Sequence, residues 1–323
     1  MTSGNQTVVS RFILLGFQGL HQYRSLLFLF FLILFLAIIS GNLLIIILAS
    51  LSENLRSPMY FFLCHLSSCD LLLSVVTVPL LLHVLSENGG SVSFFGCLTQ
   101  FYLFGALAST ECLLLSVMSY DRYVAICNPL RYASIMNFHR CLLLVFWCWV
   151  FAFSIMLNTA FQFFKLDFCG SNIIDHFFCD LAPLLQLSCS DTSFVELENL
   201  LTGVPLTFFP LMYITGTYVS IFVTILKIPT AVGRQKAFLT CSSHLTVVCL
   251  YYGTLIVAYL FPSKNQSLSI NKTLSLLYTV MTPLVNPIIY SLRNREIKIA
   301  LSKLCIFNSR FIQHERKNVH VLE

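Results

Sequence analysis

Seven charge-poor apolar runs, each long enough to cross a bilayer at about 20 residues, leave this chain few folds to choose from. They lie at 25–50, 58–84, 98–122, 140–162, 197–226, 238–261 and 272–291. Backbone N–H and C=O groups in lipid must be satisfied within the protein, so only helices and closed barrels span. Barrel strands would alternate apolar and polar residues over segments of about ten. These runs are continuous instead, and helices follow. Charged residues make up 10% of the chain and apolar ones 57%, where a soluble domain carries about 25% charge. Too little polar surface remains to cover a globule in water. The expected fold is an all-α membrane protein: a seven-helix bundle over 25–291, preceded by an extracellular segment, 1–24, and followed by a cytoplasmic tail, 292–323.

Lys and Arg orient it. With the N-terminus outside, Arg56, Arg122, Arg131, Arg140, Lys227, Arg234, Lys236, Arg293, Arg295, Lys298, Lys303, Arg310, Arg316 and Lys317 lie inside. Arg11, Arg24, Lys165, Lys264 and Lys272 lie outside, so the positive-inside rule selects N-out, C-in. The first two dozen residues lack the basic start and cleavage site of a removable signal peptide. Asn5-Gln6-Thr7 then faces the side where glycosylation occurs, and Asn5 is the expected acceptor. The similar triplets at Asn265 and Asn271 sit close to membrane ends. No basic tract with interleaved aromatics supports a nucleic-acid partner.

Four of the thirteen cysteines fall outside, Cys97, Cys169, Cys179 and Cys189. Disulfides are expected in that oxidising compartment, and four cysteines allow three pairings. His139 with Cys141, and Cys241 with His244, do not make a four-ligand set, so no metal centre is expected.

Polar residues inside the runs stand out: Asn42, Asp70, Glu111 and Asn286. Two carboxylates, Asp70 and Glu111, cannot both ionise cheaply in a dry bundle without a cation or a proton. Sodium held with Ser67, Ser109 or Asn286 is one reading; a protonated contact that locks helices is the other. Pro210, Pro283 and Pro287 mark kinks, and Asn286-Pro287-Ile288-Ile289-Tyr290 joins a kink to an amide and a tyrosine. Beyond it, Ile297, Ala300, Leu301 and Leu304 recur at i, i+3, i+4 and i+7, the pattern of a short amphipathic helix lying on the inner leaflet. Cys305 at its end is a candidate for acylation. Asp121 and Arg122 sit side by side where the third run leaves the hydrocarbon, and a charge pair at that depth is a functional candidate by default.

Together these segments resemble the odorant receptors, a large branch of the rhodopsin-like G-protein-coupled receptors, over nearly the whole chain. The likeness rests on Gly41-Asn42 and on Ser57-Pro58-Met59-Tyr60-Phe61-Phe62-Leu63 with Leu66-Ser67 and Asp70. Met118-Ser119-Tyr120-Asp121-Arg122-Tyr123-Val124-Ala125-Ile126-Cys127 is similar to the family's most diagnostic motif. Lys236-Ala237-Phe238, Thr240-Cys241 and Ser243-His244-Leu245 resemble the start of its sixth span. Pro283-Leu284, Asn286-Pro287 and Tyr290-Ser291-Leu292-Arg293-Asn294 resemble its seventh. The three-cysteine outer loop is similar to the tetrapod-type branch. Arg56, Ser119, Leu239 and Thr217-Tyr218 depart from the usual residues.

The resemblance implies roles. Arg122 would contact a heterotrimeric stimulatory G protein, with Asp121 restraining it at rest, Tyr123 beside it, and Tyr218 and Tyr290 swinging in on activation about the Asn286-Pro287 hinge. It implies the bridges Cys97–Cys179 and Cys169–Cys189. The ligand site would take Phe104, Gly105, Ala108, Ser109 and Cys112 from the third span and Thr202 and Leu206 from the fifth. Tyr252, Leu255, Ile256 and Tyr259 of the sixth and Leu276 and Thr279 of the seventh would complete it. That lining has no acid at Phe104 for an amine and no arginine for a carboxylate, so a small, mostly apolar volatile is the expected guest. Raised cAMP, a plasma-membrane location and sensory cilia follow from the same likeness, and no chemistry is done on the ligand. A secondary transporter would require inverted repeats, and an intramembrane enzyme a nucleophile and base at one depth; the sequence has neither pattern.

Overall fold

The computed structural model describes residues 9–87, 89–169, 171–260, 268–294 and 296–303. Among them, seven helices are long and apolar enough to cross a membrane. The first six spans are Arg24–Leu51, Pro58–Glu87, Phe94–Cys127, Phe138–Phe164, Ser193–Leu226 and Ala231–Leu260. The seventh runs through Leu268–Leu276, a wider π turn at Leu277–Met281, and Thr282–Arg293.

Several helices overrun the apolar runs that announce them. The third starts at Phe94, where Ser93 Oγ accepts from the Gly96 N–H at 3.1 Å, and such a cap replaces a partner the first turn lacks. The fifth starts at Ser193, whose N–H donates to Asp191 Oδ1 at 2.9 Å. Hydropathy marks where lipid ends; caps mark where helix ends. The sixth begins at Ala231, well before residue 238, so only residues 227–230 join it to the fifth.

The third span lies at the centre, packed on the second, fourth and fifth, while the first packs on the second and seventh. A Cβ added to Gly41 would approach Pro287 Cγ to 3.2 Å, so that glycine lets the first and seventh spans close. Asn42 Nδ2 ties the same pair by donating to the Pro283 carbonyl at 3.0 Å. Pro79 and Pro205 also lie within spans, the second and fifth. In the seventh the irregular turn precedes Pro283: the Thr282 N–H reaches back five residues to the Leu277 carbonyl, a π bulge of the kind that accompanies a broken hydrogen-bond ladder.

The outer face adds a small sheet that the helical reading does not contain. β1 (Arg11–Leu14), β2 (Gly90–Ser93) and β3 (Ile173–Ile174) pair in the order β2-β1-β3. β1 runs antiparallel to β2 and parallel to β3. Phe12 and Leu14 are buried beneath it while Arg11 and Ile13 face out, the alternation of a one-sided strand. At the inner face, residues 296–303 form a helix that buries Ile297 and Ala300 against the bundle. Tyr60 OH holds its start, 2.9 Å from Asn294 Oδ1 and 2.8 Å from Glu296 Oε2. Asn5, Asn265, Leu304 and Cys305 lie outside the described residues.

Candidate ligand pocket and coupling surface

At the inner end of the third span, Asp121 is fully buried and Arg122 largely so. Arg122 Nε donates to Asp121 Oδ2 at 2.9 Å, and a second guanidinium nitrogen reaches the same oxygen. The other carboxylate oxygen accepts from Tyr132 OH at 2.7 Å. Tyr132 belongs to the short helix Tyr132–Ile135 in the loop beyond the span. Burial first, and then the Asp121 charge, raise its phenol above the usual range. It therefore stays a proton donor, and the loop is fastened to the acid–arginine pair. Tyr123 packs against Ile221, Ile225 and Cys241, between the fifth and sixth spans.

Tyr218 OH lies 2.7 Å from His244 Nδ1, with the two rings stacked. Tyr290 is buried, and its hydroxyl finds no partner among the described residues. Ser119 and Thr217 also meet through their hydroxyls. The fifth and sixth spans are thus joined by polar contacts at the depth of Arg122, while Tyr290 retains a free donor.

Deeper in, Asn286 Nδ2 donates to both Asp70 oxygens, at 3.2 and 3.0 Å. Asp70 and Glu111 are buried within hydrogen-bonding reach of each other, and Glu111 Oε1 has no hydrogen-bond partner among the described residues. An orphaned oxygen beside a second carboxylate suits a proton or a small hard cation. Asn286 turns its amide nitrogen, not its oxygen, toward the pair.

Toward the outside, Ser109 and Cys112 are buried in the third span and Tyr252 in the sixth. Tyr251, the neighbour of Tyr252, makes the polar contacts. Its hydroxyl donates to the Ala108 carbonyl at 2.8 Å and sits 3.2 Å from Cys112 Sγ, whereas Tyr252 OH makes no hydrogen bond of normal geometry among the described residues. Thr279 is buried with its hydroxyl bonded back to the Ser275 carbonyl. Thr202 and Leu206 are half-buried, Leu255 packs on the main core and Leu276 on the outer one. Two expected lining residues point elsewhere. A Cβ on Gly105 would meet Met156 Cε at 2.2 Å, so this glycine serves the approach of the third and fourth spans. Ile256 is 43% exposed, one position round the helix from the packed Leu255. The side chain of Tyr259 lies outside the described residues.

The long outer loop roofs this region. Cys97 is bonded to Cys179 and Cys169 to Cys189, with Cα separations of 5.4 and 5.9 Å. These are the two pairs the resemblance implies. The first bridge brings Phe178 against Phe104, ring centroids 5.2 Å apart, and Tyr278 flanks Phe104 at 5.7 Å. Gln100 Oε1 accepts the Cys179 N–H at 2.9 Å. His176 is buried: its Nδ1 accepts from the Phe178 N–H at 3.4 Å, and Nε2 lies 3.3 Å from Ser275 Oγ. Burial, with the nearby Lys272 charge, pushes its pKa down to about 3. Lys272 pairs with Asp175 and donates to the Gly16 carbonyl at 2.7 Å, joining the seventh span, the loop and the N-terminal segment. Tyr132, Tyr251 and His176 escape a reading of the sequence, since no local motif marks their partners, which for Tyr251 and His176 include residues 143 and 99 positions away.

The sequence profile of the family described as Olfactory receptor matches residues 31–307. The chain is 46% identical over 304 residues to Olfactory receptor 11L1 of Homo sapiens, covering 94% of each. It is 46% identical to Olfactory receptor 1468 of Rattus norvegicus, covering 94% of this chain and 97% of that one. To Olfactory receptor 1E16 of Mus musculus it is 46% identical over 314 residues, covering 97% and 99%. A profile that spans most of the bundle, with relatives matched nearly end to end, makes this seven-span membrane protein a member of the olfactory receptor family.

Proposed function

We propose that the chain is an odorant receptor that binds a small, mostly apolar volatile beneath the loop roof and activates a stimulatory G protein, raising cAMP. The carrying observation is the buried Asp121–Arg122 pair fastened to Tyr132 at the inner face. A charge pair held in this way is a restraint that a population shift can release. Ligand is read some four turns away, near Phe104 and Cys112, and coupling occurs around Arg122, Tyr218 and Tyr290. Burial of a small odorant at about 25 cal/mol per Å² gives only a few kcal/mol net, which corresponds to micromolar or weaker affinity. The receptor would act at the plasma membrane of sensory cilia. Sodium at Asp70 and Glu111 belongs to the same proposal, as a cation that neutralises the pair in the resting arrangement.

The test is a cAMP reporter in cells expressing the full chain, screened with volatile compounds. Wild type should respond to some of them. Arg122→Ala, matched for surface level, should not. A response that survives this substitution argues for transport or some other route.

A further inference from the structure

Glu198 lies in the second turn of the fifth span, between Leu197 and Asn199 and two residues beyond Glu196. Its Oε1 accepts from two residues of the fourth span, Asn158 Nδ2 at 2.9 Å and Thr159 Oγ1 at 3.0 Å. Its Oε2 is enclosed and has no hydrogen-bond partner among the described residues. Among the described residues no cation pairs with it either. Lys165, at the outer end of the fourth span, instead donates to Gln162 Oε1 and lies over the Phe161 ring. A carboxylate with neutral donors on one oxygen and nothing on the other is costly to bury. A mere fastener between the fourth and fifth spans would need only the Oε1 acceptor, which a glutamine amide supplies without charge.

Its position gives the charge a use. Glu198, Thr202 and Leu206 follow at i, i+4 and i+8 along one helix stripe, and Thr202 Oγ1 bonds back to the Glu198 carbonyl at 2.8 Å. Thr159, which grips the carboxylate, is only 1% exposed while Asn158 is exposed, so the grip straddles the seam between the fourth and fifth spans. We propose that Glu198 sets ligand choice at the outer rim of the pocket. Its free oxygen receives the ammonium group of a small amine whose hydrocarbon part lies along Thr202 and Leu206. The inference rests on the pocket assignment above and names the chemical class that this pocket prefers. It also supplies, from the fifth span, the acid that the lining lacks at Phe104.

The test uses the full chain in the cAMP reporter with matched compounds: linear, cyclic and aryl frames, each carrying a primary amine, an alcohol or a methyl ether. Amines should be the most potent of each set on wild type. Glu198→Gln keeps the acceptor for Asn158 and Thr159 and removes the charge. It should weaken amines roughly ten- to hundredfold, the range of a charge-assisted bond, and leave the ethers nearly unchanged. If that variant fails to reach the surface, Glu198→Asp, with a retracted charge, should give a smaller loss in the same direction. Equal loss across amines, alcohols and ethers overturns the assignment, as does an unchanged amine-to-ether ratio. Activation by ethers or alcohols but never by amines also overturns it while leaving the receptor reading intact. Silence of wild type toward every frame overturns both.

Discussion

Tyr132 turns a two-residue pair into a three-residue latch, because Asp121 spends one oxygen on the arginine and the other on the loop. Removing that hydroxyl costs the resting arrangement one hydrogen bond, about 0.5–1.5 kcal/mol net. Tyr132→Phe should therefore raise agonist-independent cAMP, with the resting-to-active ratio falling roughly two- to tenfold, read at matched surface expression. Tyr251 and Tyr252 give a paired contrast. Tyr251→Phe removes bonds to Ala108 and Cys112 and should shift agonist potency. Tyr252→Phe removes a hydroxyl that makes no hydrogen bond of normal geometry among the described residues and should shift it less; dose–response curves for one agonist decide. Asp121 and Arg122 were legible in the sequence because charge at a membrane edge is rare. Tyr132 and Tyr251 were not, because the chain has thirteen tyrosines and nothing local marks which hydroxyl meets a partner, whether 11 positions away or 143.

Among elements, the roofing loop carries the most stored constraint. The Cys97–Cys179 bridge closes a separation of 82 residues and Cys169–Cys189 one of 20, worth roughly 4–5 and roughly 3 kcal/mol in the chain-entropy view. Cys179→Ser should lower surface expression and the unfolding midpoint more than Cys189→Ser does. His176 makes the roof sensitive to acid. With its folded pKa near 3, below the ordinary 6.5, it takes up a proton on unfolding. Stability is then full above about pH 6.5 and falls by about 1.4 kcal/mol for each unit below it. Unfolding midpoints of purified wild type should drop between about pH 7.5 and about pH 5.5, and His176→Gln should flatten that slope. The seven helices were plain in the apolar runs, since lipid demands them. Their ends were not, because the Ser93 cap and the Asp191 turn that precedes the fifth span are invisible to hydropathy. The sheet was hidden as well: its strands are two to four residues long and come from three distant parts of the chain.

For the whole molecule, orientation is the property most fully written in the sequence, since it sums many Lys and Arg positions and tolerates error at any one. An epitope before residue 9 should stain on intact cells and one after residue 303 only after permeabilisation, and Asn5→Gln should abolish a glycosidase-sensitive shift in mobility. How far the molecule can open is bounded elsewhere. Residues 227–230, the sole covalent link between the fifth and sixth spans, let Leu226 and Ala231 part by at most roughly 18 Å when fully extended. The sixth span is therefore on a leash. Any cleft that admits a G protein must open as a shutter hinged on its neighbour, and its width is capped by a tether of four residues whether or not ligand is bound.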